Sequence, residues 1–401
     1  MEYTTEMTGV SLSTRQKLLV FSFVLLTFVT GTSEFVIVGL LSQIASSLEV
    51  TISSAGALVS GFAFAVAVGT PIIAVLVSRY PAYPLMLGCM LIFIAGNIAS
   101  ALSSTYLWLL GARVVTAVVC GLMQTIAMTV ASEAIPISKR GAVISLVFAG
   151  FTIASVLGVP LGTWIGQSGG WNMAFWFTAG LGVISLVMLS LTVPKNLKGP
   201  PSSLKSQVGL LTHARMIMAF FIPALSIAAT YTVYTYIMPI LENELLIPAR
   251  YTSPILLLYG VASIISTLLA GKIAAHDGLR KLRFIFVMQA IILASLYFTV
   301  HSTVLGLINI FLTGLAIYLF NVSFQMYLID LAEEYSPSAK VFAASLFPVS
   351  VNLGIAAGAA MGGLIATNIG LSYTGWMGAL LALTAALLTF ISVHKRITTS
   401  R

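Results

Sequence analysis

The stretch that decides the fold class runs from Lys17 to Leu41 and reads KLLVFSFVLLTFVTGTSEFVIVGLL. After Lys17, the only charged side chain in it is that of Glu34. A helix needs about 20 mainly apolar residues to cross about 30 Å of hydrocarbon. The stretch is therefore long and apolar enough to form a membrane-spanning helix.

Runs of the same kind fill most of the chain. Of 401 residues, 59% are hydrophobic and only 7% are charged, whereas an average soluble domain has roughly 25% charged residues. This composition excludes a water-soluble protein and predicts an all-α membrane protein surrounded by lipid. The apolar runs predict twelve spans, over residues 17–41, 54–78, 84–103, 106–132, 140–167, 171–193, 214–240, 252–275, 281–300, 303–330, 340–366 and 371–393.

The basic residues are distributed unevenly over the predicted loops. Of the 19 Lys and Arg residues, only Arg250 falls in a loop on the side opposite the N-terminus, and Arg113 falls within a span. Cytoplasmic loops carry the excess of Lys and Arg in membrane proteins, so both termini are predicted to be cytoplasmic. The net charge of +8 is thereby explained without a nucleic-acid partner.

A polar segment divides the spans into two blocks of six. Residues 194–213 contain Pro, Gly and Ser with scattered Lys, a composition typical of a linker. We predict an N-terminal six-helix bundle over 1–193, a cytoplasmic linker over 194–213 and a C-terminal bundle over 214–401. Two such halves, related by an axis along the membrane normal, form the architecture of one large transporter class.

Two loop sequences occupy matching places in the halves. They are Ala74–Pro81 (AVLVSRYP), after span two, and Gly271–Lys281 (GKIAAHDGLRK), after span eight. Both resemble the cytoplasmic loop signature G-x-L-A-D-R-x-G-R-K of the major facilitator superfamily. The first copy has Ser78 at the Asp position, and the second has His276 within the part that departs from the signature.

Further spans extend the resemblance. Span five contains GFTIASVLGVPLGT (residues 150–163), which is similar to the antiporter motif G-x-x-x-G-P-x-x-G-G. Span four from Arg113 looks like the fourth-helix motif of the superfamily. Span one over Thr32–Leu41 looks like the opening helix of bacterial sugar, purine and drug efflux permeases. Over essentially its whole length, the chain thus resembles the twelve-span drug–proton antiporter family.

This resemblance implies a fold and an activity. The fold is the major-facilitator fold, with two six-helix bundles about a pseudo-two-fold axis. The activity is proton-coupled efflux of small organic molecules, such as drugs, sugars or nucleobases, across the bacterial cytoplasmic (inner) membrane. We expect a multi-pass monomer that is not an enzyme and has no metal or cofactor.

Glu34 and Arg113 are the candidate proton-coupling residues. Glu34 is the only carboxylate deep within a span of the first half, and an intramembrane charge requires a proton or a partner. At 1.5 Å per residue, Glu34 lies about 25 Å from the cytoplasmic face and Arg113 about 10 Å below the outer face. Both are therefore expected in the outer half at similar depth. An ion pair or a proton-dependent switch is possible between them, and so are separate roles.

Polar and aromatic side chains at helical spacing mark three faces that should not meet lipid. These faces lie on spans four, seven and ten, which line the central cavity in the superfamily. The alternative for each residue is simple hydrogen bonding between helices. The predicted substrate-binding residues are Thr116, Gln124, Tyr231, Tyr234, Thr235, Tyr318, Asn321 and Gln325.

A further set is predicted to control access to the cavity. Gly158 and Gly162 lie on a small-residue stripe along span five, Pro160 can bend that span, and the stripe is expected at the moving interface between the halves. Charges at the cytoplasmic ends of the spans can pair to close the inner face: Arg79 with Glu133, and Arg280 with Asp330. As exposed pairs they would each contribute under about 1 kcal/mol.

Three alternative functions remain at this stage. An importer or facilitator could use the same fold, although the span-five motif favours efflux. An intramembrane enzyme is a poorer match, because the spans contain no paired acidic motif and no H-E-x-x-H. A channel would require a pore-loop repeat, which is not visible.

Overall fold

The computed structural model describes residues 12–77, 79–197, 213–275, 278–335 and 340–399. Within them, twelve helices are long and apolar enough to cross a bilayer, which confirms the predicted number of spans. They are α1 (Thr14–Ser47), α2 (Ile52–Val77), α3 (Ala82–Ala101), α4 (Tyr106–Ala134), α5 (Lys139–Gly169), α6 (Asn172–Thr192), α7 (Ala214–Tyr234), α8 (Ala249–Ala274), α9 (Gly278–Thr299), α10 (Thr303–Tyr335), α11 (Ser345–Asn368) and α12 (Leu371–Ser392). Ser78, His276 and residues 198–212 of the predicted linker lie outside the described residues.

Local sequence explains where the first helix begins. Ser13 and Gln16 form a capping box, in which each side chain satisfies the backbone N–H of the other. Such caps occupy N–H groups that have no partner within the helix. The cap places the start of α1 just ahead of the long apolar run.

The two halves repeat the same helix pairings. In the first half α1 packs on α5 and α6, and α3 packs on α4 and α6. In the second half α7 packs on α11 and α12, and α9 packs on α10 and α12. Gly170 and Gly370 precede α6 and α12 with φ of 93° and 143°, conformations that favour glycine. The repeat is the internal pseudo-symmetry that the sequence predicts.

The small-residue stripes hold each half together. A Cβ on Gly158 would collide with Thr32, and one on Gly162 with Val36, both on α1. On α11, Gly354, Gly358 and Gly362 form an equivalent stripe. A Cβ on any of them would meet backbone atoms of α7. The prediction that the span-five stripe lies at the interface between the halves is therefore wrong. Because glycine has no side chain, these stripes let two helices of the same half approach closely.

Two helices of the first half contain a widened turn before a proline. The turns are π-helical and cover Ala65–Gly69 in α2 and Ala154–Gly158 in α5. Pro71 and Pro160 follow two residues later. A proline removes one backbone donor, and its ring clashes with the carbonyl four residues earlier, so a π turn can relieve the clash. Both turns contact the second half, on α11 and α8 respectively.

Two helices of the second half are interrupted. Helix α7 ends at Tyr234, and a short helical extension runs from Ile237 to Glu244. Helix α10 is broken at residues 317–320, between the segments Thr303–Ala316 and Asn321–Tyr335. The Ser266 hydroxyl of α8 accepts a hydrogen bond from the Tyr318 N–H at 3.0 Å. This hydrogen bond gives the Tyr318 N–H, at the break in α10, a partner outside its own helix.

The halves meet on one side of the bundle. Twelve spans bring the start of α1 and the end of α12 to the same side, which we call the terminus side, and the opposite side is the far side. On the far side, Gln167 of α5 donates to Thr252 of α8 at 2.8 Å, and a Cβ on Gly363 of α11 would meet Ser53 of α2. Contacts of α11 with α2 run mainly along Ile52–Phe64, the far-side part of α2. The far side is therefore closed in this conformation.

Candidate functional site

Glu34 lies in the middle of α1 and is 8% exposed. No hydrogen bond or ion pair joins its carboxylate to any residue that the structure describes. Tyr231 of α7 and Tyr318 of α10, both in the second half, lie within electrostatic range of Glu34. Glu34 is thus a buried acid with an unused carboxylate at the meeting point of the two halves.

Arg113 is fully buried in α4 but is not paired with the Glu34 carboxylate. One guanidinium nitrogen donates to Ser33 Oγ at 3.1 Å, and the other donates to the backbone carbonyl of Glu34 at 3.3 Å. The guanidinium lies over the Phe62 ring, 4.2 Å from its centroid, in a favourable cation–π geometry. Its Nε has no hydrogen-bond partner among the described residues.

A buried polar network anchors this arrangement. Ser33 Oγ and Thr178 Oγ1 both donate to Asn97 Oδ1 at 2.9 Å, and the Asn97 amide donates to the Phe93 carbonyl. The network joins α1, α3, α4 and α6. Buried hydrogen-bonded networks resist rearrangement, because each member that loses its partner is left unsatisfied. Asn97 therefore fixes Ser33, and through it the position of Arg113.

The second half contains an equivalent network without the charge. Ser226 of α7 donates to Gln289 Oε1 of α9 at 3.0 Å, and the Gln289 amide donates to Thr230 Oγ1 at 2.8 Å. The helix pair α7–α9 corresponds to α1–α3 in the repeat. Neither network is predicted from the sequence. The sequence feature that could have indicated them is a single amide side chain in the apolar part of the third span of each half. This residue is Asn97 in the first half and Gln289 in the second.

Four tyrosines of the second half form one cluster. The rings of Tyr234 and Tyr259 stack with centroids 4.7 Å apart, and Tyr231 meets Tyr234 edge-on at 5.3 Å. Tyr231 and Tyr318 are close enough for their side chains to interact. Tyr259 of α8 also belongs to this cluster. It is not among the predicted substrate-binding residues, because in the sequence it lies alone among apolar residues. Aromatic faces of this kind pack on planar or cationic organic groups.

The sequence profile described as the Major Facilitator Superfamily matches residues 23–339. The chain belongs to the Major Facilitator Superfamily. It is 38% identical over 363 residues to the uncharacterized MFS-type transporter YtbD of Bacillus subtilis, covering 90% of this chain and 92% of the relative. It is 33% identical over 370 residues to the inner membrane transport protein YdhP of Escherichia coli K12, covering 92% and 94%.

Two solved transporter structures have the same fold as this chain. A bacterial homologue of the human lysosomal transporter Spinster, in an inward-facing and occupied conformation, superposes with a TM-score of 0.76 at 15% identity, covering 96% of this chain and 98% of that one. A D-xylose–proton symporter superposes with a TM-score of 0.74 at 17% identity, covering 93% and 97%. At these identities the similarity establishes the fold of this superfamily member and not its substrate.

Thr116 does not belong to the polar face that the sequence assigns to it. It is fully buried, and its hydroxyl donates to the Ala112 carbonyl of its own helix. A Cβ on Gly96 of α3 would collide with this hydroxyl. Thr116 therefore packs between α3 and α4, and its predicted contact with substrate is wrong.

The other predicted substrate-binding residues lie near the breaks or on α4. Thr235 Oγ1 and Asn321 Oδ1 are buried without a hydrogen-bond partner among the described residues, and each adjoins a helix interruption. Gln124 and Gln325 are partly exposed on α4 and α10. Unpaired polar atoms inside a membrane bundle are costly unless water or a ligand reaches them. Their contact with substrate stays a prediction.

The predicted gating charges are arranged differently in this conformation. Glu133 is exposed on the terminus side, and it makes no ion pair with Arg79 or Arg140 in the described part of the chain. Arg140 Nε instead donates to the Ile135 carbonyl, and Arg79 lies over the ring of Tyr80.

The end of α10 carries an ion pair with α7. Glu334 accepts a hydrogen bond from Arg215 at 2.7 Å. Asp330 is exposed, and Arg280 has an interaction partner. Pairing of Asp330 with Arg280 in another conformation stays a prediction, and so does a gating role for Pro160.

Proposed function

We propose that this transporter exports small organic molecules from the bacterial cytoplasm in exchange for protons. The observation that carries the proposal is the Glu34 carboxylate in the middle of α1, which has no hydrogen-bond or ion-pair partner among the described residues. An ionised carboxylate deep in hydrocarbon is expensive, so it must bind a proton or face a substrate. Because both ligands compete for one group, release of one accompanies binding of the other, and the two then move in opposite directions.

The proposed orientation follows from the distribution of charge. With Lys and Arg loops on the terminus side, that side is cytoplasmic under the positive-inside rule. The closed far side then faces the periplasm, and the conformation is inward-facing. We expect a cytoplasmic substrate to approach Glu34 from the terminus side. The Escherichia coli relative is named an inner membrane transport protein, which supports the same location.

Substrate-dependent proton movement tests the proposal. The protein is reconstituted in vesicles that enclose a pH-sensitive dye, and a panel of drugs, sugars and nucleobases is added on the cytoplasmic face under an imposed proton gradient. We expect at least one compound to release protons toward the side from which it is taken up. Proton movement in the same direction as the compound would indicate symport, and compound movement that is independent of protons would indicate a facilitator. Either outcome would overturn the proposal.

A further inference from the structure

A cavity that does not include Glu34 lies at the far end of the bundle. Its volume is about 280 Å³. It is lined by Ser42 and Gln43 of α1, Gln167 of α5, Met238 and Glu242 on the extension of α7, and two small residues. That volume is at the lower limit of small-molecule pockets.

The cavity lining is anionic and rich in hydrogen-bond acceptors. Glu242 supplies a carboxylate, and no Lys or Arg is among the lining residues. Ser42 Oγ and Gln43 Oε1 are buried and have no hydrogen-bond partner among the described residues. Gln167 is already held by Thr252 and Ser253 of α8. The Glu242 carboxylate and the unpaired oxygens of Ser42 and Gln43 therefore favour a ligand that carries positive charge and N–H donors.

The cavity also spans the boundary between the halves. Ser42, Gln43 and Gln167 belong to the first half, whereas Met238 and Glu242 belong to the second. If the far side opens, these two groups of residues separate and the cavity is lost. A ligand that fits it therefore binds only while the far side is closed, and by linkage it favours that conformation.

We propose that this cavity is a binding site for a small protonated amine, reached from the periplasmic side. The ammonium group binds between the Glu242 carboxylate, Gln43 Oε1 and Ser42 Oγ, and the apolar part of the amine packs on Met238. Occupancy holds the two halves together on the far side. An amine outside the cell thereby stabilises the inward-facing conformation and slows the transport cycle without passing through the protein.

Equilibrium binding of radiolabelled n-butylammonium to the purified protein tests the site. Tetramethylammonium, which carries the charge but no N–H donor, serves as the competitor that separates charge from hydrogen bonding. We expect saturable binding that Glu242→Gln or Gln43→Leu weakens about tenfold, equivalent to 1.4 kcal/mol. Glu244→Gln is the matched control, because Glu244 belongs to the same π-helical segment but does not line the cavity. Tetramethylammonium should compete only weakly.

The Glu34→Gln variant distinguishes this site from the central one. Butylammonium binding that survives Glu34→Gln and is lost in Glu242→Gln supports the far-side site, whether or not the proton exchange proposed above is correct. Binding that is lost in Glu34→Gln and kept in Glu242→Gln would place the amine centrally and overturn the inference. No saturable binding to the folded wild-type protein would show that the cavity holds water only.

Labelling of a Ser53→Cys variant measures the conformational effect. Ser53 lies at the far-side contact of α2 with α11, and the native Cys89 and Cys120 are buried. We expect butylammonium to slow labelling of Ser53→Cys severalfold, and to have no effect when Glu242→Gln is also present. Faster labelling on adding the amine would contradict a site that closes the far side.

Discussion

The Arg113 guanidinium donates to the backbone carbonyl of Glu34 and not to its carboxylate. The positive charge is thus met by a hydroxyl, a carbonyl dipole and the faces of aromatic rings. The neighbouring acid keeps its own oxygens free. Arg113 influences Glu34 through the electric field of a fixed cation and not through a bond that must break in each cycle.

Replacement of Glu34 by glutamine should remove proton coupling without unfolding the protein. The carboxylate makes no hydrogen bond that glutamine would lose, so thermal unfolding should stay close to that of the wild type. Compound-dependent proton release from vesicles should disappear. Glu49→Gln, which changes an exposed loop acid, is the matched control. Undiminished proton release in Glu34→Gln would remove Glu34 from the mechanism.

Replacement of Arg113 should affect stability and pH dependence together. Arg113→Ala loses two charge-assisted hydrogen bonds, each worth about 1.5 to 3 kcal/mol, and leaves a cavity beside Phe62. Arg113→Lys keeps the charge but cannot reproduce the planar fork of donors, so it should restore only part of the stability. Thermal unfolding and the pH profile of transport measure the two effects. An unchanged pH profile in Arg113→Lys and Arg113→Ala would show that the cation does not act on Glu34.

Asn97 should act as a positioning residue for Arg113. Asn97→Leu leaves the Ser33 hydroxyl without its acceptor, whereas Thr178 keeps the Phe175 carbonyl. An unsatisfied buried group costs about 1 to 3 kcal/mol. We expect lower thermal stability and a pH profile displaced in the same direction as in Arg113→Ala. Asn368→Leu is the control, because that side chain is exposed and bonds only its own helix. A loss of stability with an unchanged pH profile would assign Asn97 a structural role alone.

Enlarging Gly158 should loosen the first half internally. Its added side chain would meet Thr32 of α1, and overpacking a tight contact typically costs about 1 to 3 kcal/mol. Gly158→Ala should therefore lower the unfolding temperature, and Gly158→Leu should lower it further. Gly180→Ala is the control, since nothing lies within 4 Å of a Cβ there. Wild-type stability of Gly158→Leu would contradict the packing described here.

Pro160 should maintain the π turn at which α5 contacts α8. Pro160→Ala restores a backbone donor, so α5 can relax toward a regular helix and displace Val156 from its close approach to Gly260. We expect unchanged or higher thermal stability, together with altered labelling of Ser53→Cys on the far side. Pro348→Ala, in α11 where no π turn is present, should leave the labelling unchanged. Equal labelling in both variants would mean that the turn does not set the contact between the halves.

The sequence identifies which residues of the site are unusual but not how they are connected. Glu34 and Arg113 stand out because charge is rare in apolar spans. Their neighbours are ordinary residues, such as Ser33, Asn97 and Phe62, which acquire significance only through contacts between distant helices. Thr116 shows the converse error, because helical spacing gives the face of a residue but not which neighbour covers that face.

The sequence by itself determined the membrane class, the twelve spans, the division into two repeats and the superfamily. These properties depend on length, hydropathy and the placement of charge, all of which act locally along the chain. The tertiary structure alone decided that the glycine stripes lie within each half, that Arg113 bonds Ser33 and the Glu34 backbone, and that the far side is closed. Those outcomes depend on the free energies of competing helix packings, which differ by little and which no single segment encodes.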